Sequence, residues 1–188
     1  MYTWYSTTHI LERSQHHCTL VSGNDTLAGL QVNELIIENQ VNDSIVSGMG
    51  EESIEVNMCG NTIDSGDNYD KIDGCTYGDS VIGGYGNNEL IGNEEYDTID
   101  SSNGNESVLG SSGDNYIYGI DGADTLTGNS DYDHITDGSA DYSILGDNNE
   151  YSLSGVTDTY TITYIGGSGT ISVVYGNDSL SGNVIDDL

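Results

Sequence analysis

The chain has 188 residues, of which 32 are acidic and 2 are basic, and its formal net charge is −30. A charge of this sign and size repels nucleic acid and anionic membrane surfaces and attracts cations. No apolar run is long enough for a transmembrane helix, so we expect neither a nucleic-acid partner nor membrane insertion.

Residues 1–21 precede the regular part of the sequence, and we predict that they form an N-terminal cap or a flexible arm. They lack the basic start and apolar centre of a secretory signal peptide. Cys18, Cys59 and Cys75 are an odd number without metal-ligand spacing, so neither a disulfide framework nor a zinc site is indicated. Cys18 lies nine residues before Leu27 and is predicted to be a small buried residue.

From Leu27 onward, a branched aliphatic residue occupies every ninth position without interruption. The series is Leu27, Ile36, Ile45, Ile54, Ile63, Ile72, Val81, Leu90, Ile99, Val108, Ile117, Leu126, Ile135, Ile144, Leu153, Ile162, Ile171 and Leu180. A fixed short period indicates one structural unit stacked on itself. We therefore predict an all-β fold, a parallel β-roll or β-solenoid of nine-residue repeats.

The fullest repeats follow the pattern Gly-Asn-Asp-Ser/Thr-aliphatic-x-Gly, as in Gly23–Gly29 and Gly176–Gly182. The aliphatic residue and its two neighbours suit a short strand, whereas glycine and Asx residues suit a tight turn. Nine residues make one strand and one turn. Two repeats therefore complete a coil, with one strand in each of two facing sheets.

This geometry stacks repeats that are two apart, about 4.8 Å from each other. The position two before each core residue is mostly acidic and forms two columns. One contains Asp25, Asp43, Asn61, Asp79, Asp97, Asn115 and Asp133, and the other contains Glu34, Glu52, Asp70, Asn88, Glu106 and Asp124. Like charges at this spacing repel by about 1 kcal/mol per pair in water. Calcium bound by carboxylates and turn carbonyls would neutralise them, and a solvated acidic edge screened by salt is the alternative.

The repeat resembles the RTX (repeats-in-toxin, haemolysin-type) nonapeptide over residues 22–183. The resemblance implies a parallel β-roll with structural calcium in its turns and type I export directed by a C-terminal signal. By motif position, the metal ligands it implies are Asp25, Asp43, Asp70, Asp79, Asp97, Glu106, Asp124, Asp133 and Asp178.

Several of these calcium sites are expected to be weak or empty because many repeats lack their turn glycines. The first glycine is replaced by Val32, Val41, Cys59, Asn68, Tyr77 and Glu95, and the second by Glu38, Ser47, Val56, Ser65 and Ser101. A non-glycine residue at positive φ is costly unless the local turn differs.

The segment 139–188 is predicted to hold degenerate repeats, a hairpin and a C-terminal cap, after a roll spanning 22–138. Tyr142, Tyr151 and Tyr160 replace three successive acidic positions, so metal sites should stop there. Two alternating runs, Thr159–Ile165 and Thr170–Tyr175, flank a glycine-rich stretch and predict a β-hairpin.

The sequence contains no nucleophile elbow, no His-Glu-x-x-His motif and no phosphate loop, so we expect no enzymatic activity. We predict a secreted or cell-surface structural or adhesive module that calcium folds and rigidifies, exported by a type I-like route without an N-terminal signal peptide. A filament subunit formed by end-to-end stacking of solenoids is one alternative. An ice-binding protein using outward Ser and Thr positions is another, although Lys71 and Glu89 interrupt that ladder.

Overall fold

A computed structural model of the chain describes residues 2–4, 8–10, 16–20, 23–29, 32–38, 41–136, 138, 142–146, 151–155, 160–164, 169–173 and 179–182. These residues form two parallel β-sheets and contain no helix. Successive strands alternate between the two sheets, and each strand pairs with the strand two along the chain. The architecture is a β-solenoid of the β-roll type, which confirms the predicted fold class.

The eleven-stranded sheet is formed by the odd-numbered strands. They are β1 (Tyr2–Trp4), β3 (His16–Leu20), β5 (Glu34–Ile37), β7 (Ser53–Glu55), β9 (Lys71–Asp73), β11 (Glu89–Glu94), β13 (Ser107–Ser112), β15 (Thr125–Ser130), β17 (Tyr142–Gly146), β19 (Tyr160–Tyr164) and β21 (Ser179–Gly182).

The ten-stranded sheet is formed by the even-numbered strands. They are β2 (His9–Ile10), β4 (Thr26–Ala28), β6 (Ser44–Val46), β8 (Thr62–Asp64), β10 (Ser80–Ile82), β12 (Thr98–Asp100), β14 (Tyr116–Tyr118), β16 (Asp133–Thr136), β18 (Tyr151–Gly155) and β20 (Gly169–Val173).

The strand register places each core residue beside the core residue of the next coil. Ile63, Val81 and Ile99 are Cα partners in the ten-stranded sheet, and Ile72 pairs with Leu90 in the other sheet. The aliphatic series from Leu27 to Ile144 is buried between the sheets, and Cys18 continues it as predicted. Burying each of these side chains contributes roughly 1.5–3 kcal/mol to folding. The residues that recur every nine positions are therefore the ones that form the hydrophobic core.

The C-terminal strands continue the two sheets, and the predicted hairpin is wrong. Strand β19 pairs in parallel with β17 and β21, whereas β20 pairs in parallel with β18 in the other sheet. Strands β19 and β20 therefore lie in different sheets and do not pair with each other as a hairpin. The register Leu153↔Ile171 and Ile162↔Leu180 preserves the nine-residue period to the last strand. The boundaries at 21/22 and 138/139 stay predictions.

Several turns hold non-glycine residues in the left-handed region of backbone space. Val41, Cys59, Asn68 and Glu95 have φ values of 82°, 82°, 92° and 76°. All four stand where the first turn glycine belongs, so the turn keeps its shape although the residue has changed. This conformation is uncommon for residues with a Cβ atom, and a valine there is strained. Stacking between coils therefore imposes the turn on these sequences.

Candidate cation sites

The acidic position of each repeat faces the interior of the roll. In the first full repeat Asp25, Leu27 and Gly29 are buried, whereas Thr26 is exposed. Alternate residues of an extended chain share a face, so the residue two before the core residue points the same way. From Asp25 to Asp133, no residue of the two columns is more than 4 % exposed. The solvated acidic edge considered as the alternative is therefore wrong.

We name the two columns after their commoner acid. The aspartate edge, which leads into the ten-stranded sheet, is Asp25, Asp43, Asn61, Asp79, Asp97, Asn115 and Asp133. The glutamate edge, which leads into the eleven-stranded sheet, is Glu34, Glu52, Asp70, Asn88, Glu106 and Asp124. Neighbours in a column are one coil apart, as the repeat predicted.

Side chains of the aspartate edge form a continuous hydrogen-bond ladder along the roll. The main-chain N–H of each member donates to the side-chain Oδ1 of the member one coil later. The N–H of Asp25 reaches Asp43 at 2.6 Å, and the ladder continues to Asn115, whose N–H reaches Asp133 at 3.0 Å. One side-chain oxygen of each member from Asp43 to Asp133 therefore joins two coils.

The glutamate edge forms this ladder only where the accepting residue is Asp or Asn. The N–H groups of Glu52, Asp70 and Glu106 donate to Oδ1 of Asp70, Asn88 and Asp124 at 2.8, 2.9 and 2.8 Å. Both carboxylate oxygens of Glu52 and of Glu106 lack a donor within the described part of the chain. The extra methylene of glutamate carries its carboxylate past the main-chain N–H and into the turn.

Buried carboxylate oxygens without a donor are concentrated at both edges. Besides those of Glu52 and Glu106, they include Oδ2 of Asp43, Asp70, Asp97 and Asp124 among the described residues. Burying a charged carboxylate oxygen without a hydrogen-bond donor or a counter-ion costs on the order of several kcal/mol of folding free energy. Each oxygen therefore requires a proton or a cation.

Burial alters the acidity of these groups in the same direction throughout. It raises the pKa of Glu52 to about 9, with Asp70 as the next contributor, and that of Glu106 to about 9, with Asp124 next. Burial also raises the pKa of Asp97 to about 7. The pKa values of Asp43, Asp70, Asp79 and Asp124 are raised mainly by burial, and that of Asp133 reaches about 7.

The carboxylates share their surroundings with main-chain carbonyl oxygens of the turns. A methyl group placed on Gly92 would lie 2.8 Å from the carbonyl oxygen of Gly110 and would overlap Oδ2 of Asp97. One on Gly74 would lie 2.8 Å from the Ile91 carbonyl oxygen and 3.1 Å from Oδ2 of Asp79. Carboxylate and carbonyl oxygens therefore face the same small space beside the glycine.

Serine takes the place of this glycine at three positions of the glutamate edge. The hydroxyl groups of Ser47, Ser65 and Ser101 donate to the carbonyl oxygens of Ser65, Gly83 and Gly119, at 2.6, 2.8 and 2.8 Å. A carbonyl oxygen that already accepts this bond has one fewer lone pair for a cation. These turns are therefore held by side-chain hydrogen bonds where glycine would leave the carbonyl open.

The donor set fits a hard divalent cation such as calcium. Calcium takes six to eight oxygen ligands from carboxylates, main-chain carbonyls and water. Within the described ranges, no group of three or more His, Cys, Asp or Glu side chains comes together. Each site would therefore combine one or two carboxylates of one edge with main-chain oxygens of adjacent turns.

The structure divides the predicted ligands between the two edges. Asp25, Asp43, Asp79, Asp97 and Asp133 lie on the aspartate edge, and Asp70, Glu106 and Asp124 on the glutamate edge. Asp178 lies outside the described residues, as do the side chains of the three tyrosines expected to end the series. Glu52 was not among the predicted ligands, although it holds the same column position as Glu106 and is equally buried.

Two parallel sheets, wound from nine-residue units around buried columns of acid, define a β-roll with candidate cation sites in its turns. The family model of the RTX calcium-binding nonapeptide repeat (4 copies) matches residues 82–117, 100–135 and 118–141. Residues 82–141 are therefore RTX repeats, as the sequence resemblance indicated. Comparisons with curated proteins and with solved structures yield no significant match. In the part of the chain that is described, no helix has the length and apolarity needed to cross a bilayer.

Proposed function

We propose that the chain is a calcium-binding structural repeat module in which the buried carboxylates of both edges hold calcium between turns of adjacent coils. One observation carries the proposal. Buried carboxylate oxygens without donors face main-chain oxygens, as at Asp97 beside Gly92 and Gly110. Oxygens that repel one another in a protein interior become a ligand set when a cation lies between them.

The carboxylate pairs one coil apart are the strongest candidates for sharing an ion. They include Glu52 with Asp70, Glu106 with Asp124, and Asp79 with Asp97. Bound calcium would supply the positive charge that these pairs lack, and the turn carbonyls would complete its ligand shell. Lys71 lies close in sequence to one pair, but its ammonium group is bonded to the exposed Glu89 at 2.5 Å.

Calcium binding would be coupled to folding. The unfolded chain leaves its carboxylates in water, whereas the folded chain buries them, so the metal-free roll bears the whole desolvation cost. A ligand that binds only the folded state stabilises it in proportion to the logarithm of its concentration. Calcium therefore would fold and rigidify the rod, in the manner of small metal-dependent domains.

Circular dichroism with calcium, with magnesium and with a chelator tests this function. We expect the β-sheet signal and the unfolding midpoint to rise with calcium and to fall on chelation. Glu52→Gln should weaken the calcium response, whereas the matched change Glu51→Gln affects an exposed neighbour and should not. A spectrum and a midpoint indifferent to both calcium and chelator would overturn the proposal.

We extend the proposal to location and role. RTX repeats are typical of secreted or surface proteins, and a chain that calcium folds suits export from a low-calcium cytoplasm into a calcium-rich exterior. We place the module outside the cell, in a structural or adhesive role, exported by a type I-like route. Immunodetection in medium, surface and cytoplasmic fractions of the source organism tests this, and purely cytoplasmic protein would contradict it.

Two alternative functions each have one supporting observation. Among the described strands, the end strands of the two sheets (β1, β21, β2 and β20) have a partner on one side only, which favours end-to-end stacking into filaments. Outward residues of the ten-stranded sheet form a Ser/Thr column that favours ice binding: Thr26, Ser44, Thr62, Ser80 and Thr98. Tyr116 and His134 end this column, with ring centroids 5.2 Å apart. Electron microscopy and an ice-growth assay test the two functions separately.

A further inference from the structure

Three asparagines occupy acidic positions of the two edges, and each uses its carbonyl oxygen as an aspartate does. Oδ1 of Asn61, Asn88 and Asn115 accepts the main-chain N–H of the residue one coil earlier, at 2.9 Å in every case. All three side chains are buried. Asparagine therefore preserves the ladder that joins neighbouring coils.

The remaining atom of each asparagine makes a bond that aspartate cannot make. Nδ2 of Asn61 donates to the carbonyl oxygen of Cys59 at 2.9 Å, and Nδ2 of Asn88 donates to that of Gly83 at 2.9 Å. Nδ2 of Asn115 donates to the carbonyl oxygen of Gly113 at 3.0 Å. At Asp97, the corresponding atom is Oδ2, a second acceptor that has no donor and faces the carbonyl oxygen of Gly110.

The asparagine amide occupies the same space that the free aspartate oxygen occupies elsewhere. A methyl group placed on Gly110 would lie 2.9 Å from Nδ2 of Asn115 and 3.1 Å from the carbonyl oxygen of Gly128. One coil earlier, the equivalent methyl group on Gly92 would overlap Oδ2 of Asp97, which has no donor. The space beside the glycine is equivalent in the two coils. The amide of Asn115 fills it with a donor, whereas Asp97 fills it with an oxygen that has no donor.

The asparagines also divide each edge into short acidic units. On the aspartate edge, Asn61 and Asn115 are separated by the pair Asp79 and Asp97. On the glutamate edge, Asn88 separates Glu34, Glu52 and Asp70 from Glu106 and Asp124. Over the two columns, therefore, no more than three carboxylates follow one another before an amide interrupts the column, the longest run being Glu34, Glu52 and Asp70.

We propose that Asn61, Asn88 and Asn115 are built-in replacements for a bound cation. Each amide donates to the turn oxygens where a cation would otherwise bind, so its coil needs no metal. The edges consequently consist of separate calcium-binding units joined by metal-independent coils. The inference rests on the proposed function, because it states which coils of a calcium-binding roll take the ion.

The test compares Asn88→Asp with Asn87→Asp in the full chain. Asn87 is the exposed neighbour, and its Oδ1 accepts the N–H of Asn105 at 2.9 Å, a bond that aspartate can also accept. We expect Asn88→Asp to lower the denaturant midpoint in chelator, to recover it in calcium, and to add calcium bound per chain in equilibrium dialysis. Asn87→Asp should leave the midpoint in chelator and the bound calcium close to wild type.

The reverse variant Asp97→Asn keeps the inference testable if Asn88→Asp fails to fold. It removes a buried charge, so it should raise the midpoint in chelator and reduce the calcium bound per chain. An unchanged midpoint in chelator would overturn the inference. If the wild-type chain binds calcium but Asn88→Asp behaves as Asn87→Asp does, the inference is overturned and the proposed function stands. Wild-type chain that binds no calcium overturns the proposed function as well.

Discussion

The two edges of the roll arise from the same nine-residue unit, yet they stabilise their buried acids differently. On the aspartate edge, each side chain from Asp43 to Asp133 accepts a main-chain N–H of the previous coil through one oxygen, in an unbroken ladder. On the glutamate edge, Glu52 and Glu106 leave both oxygens without a donor. One methylene therefore decides whether an acid joins two coils or faces only the turn.

This difference makes the glutamate edge the more dependent on a cation. A hydrogen bond to a charged group contributes about 1.5–3 kcal/mol, so each aspartate recovers part of its desolvation cost from the ladder. Glu52 and Glu106 accept no ladder bond, and their pKa values of about 9 exceed the values of about 7 at Asp97 and Asp133.

The largest effect is expected from core substitutions, which test whether the difference between the two edges extends to the core. Ile63→Ala and Ile72→Ala each empty a fully buried site, one in each sheet. Each should cost about 2–5 kcal/mol of unfolding free energy, because large-to-small core changes lose both burial and packing. Denaturant unfolding in saturating calcium measures both losses. Clearly unequal losses would show that the two sides of the roll differ in their core as well as at their acidic edges, which would contradict the comparison drawn above.

Neutralising one acid on each edge should give an intermediate effect. In chelator, Glu106→Gln and Asp97→Asn should both stabilise the roll, by about 1–3 kcal/mol for relieving a buried unsatisfied group. The gain should be larger for Glu106→Gln because that carboxylate has no ladder bond. Unfolding in chelator measures the difference, and Asp114→Asn, at an exposed position, is the control. An equal or smaller gain at Glu106 would contradict the ranking.

The smallest effect concerns the pH dependence of the metal-free roll. Because burial raises these pKa values, the folded chain keeps protons that the unfolded chain releases. The associated stability is complete below the unfolded values of about 4 and is lost as the pH rises through the folded ones. The loss should begin above about pH 4 and should be complete near pH 7 for Asp97 and Asp133 and near pH 9 for Glu52 and Glu106.

Thermal unfolding in chelator between pH 5 and pH 10 measures this loss. Glu52→Gln together with Glu106→Gln should make the total loss smaller and should remove most of the part that continues between pH 7 and pH 9. With calcium bound, the trend should reverse below neutral pH, because protons then compete with the ion for carboxylate. Metal-free stability that increases with pH would show that the buried acids are ionised and otherwise compensated.

Much of the fold was predictable from the sequence because its core has a strict period. Ile63, Ile72 and their equivalents follow from counting in nines, and the stacking of columns follows from two repeats per coil. The inward direction of Asp25 also follows from strand alternation. Burial was nevertheless not the obvious prediction, because a charged side chain usually lies at the surface. The local signal for a hairpin at residues 159–175 was outweighed by the register of the neighbouring coils, which no local pattern reports.

The site was predictable only in part for a related reason. Motif position identified Asp97 and Asp124, but whether an oxygen keeps a donor depends on atoms one coil away. Side-chain length separates Glu106 from Asp97, and a single nitrogen separates Asn115 from Asp133. These differences are small in sequence and become decisive once the side chains are buried.

The hydrogen-bond ladder of the aspartate edge gives the rod a chemical direction. Every carboxyl or amide oxygen in it reaches back to the coil that precedes it, never forward. A rod cut between two coils would therefore have unlike ends. The piece on the N-terminal side would end in a main-chain N–H without its acceptor, and the other piece would begin with an acceptor without its donor. The N-terminal end of one rod is therefore complementary to the C-terminal end of another, whereas two like ends are not complementary.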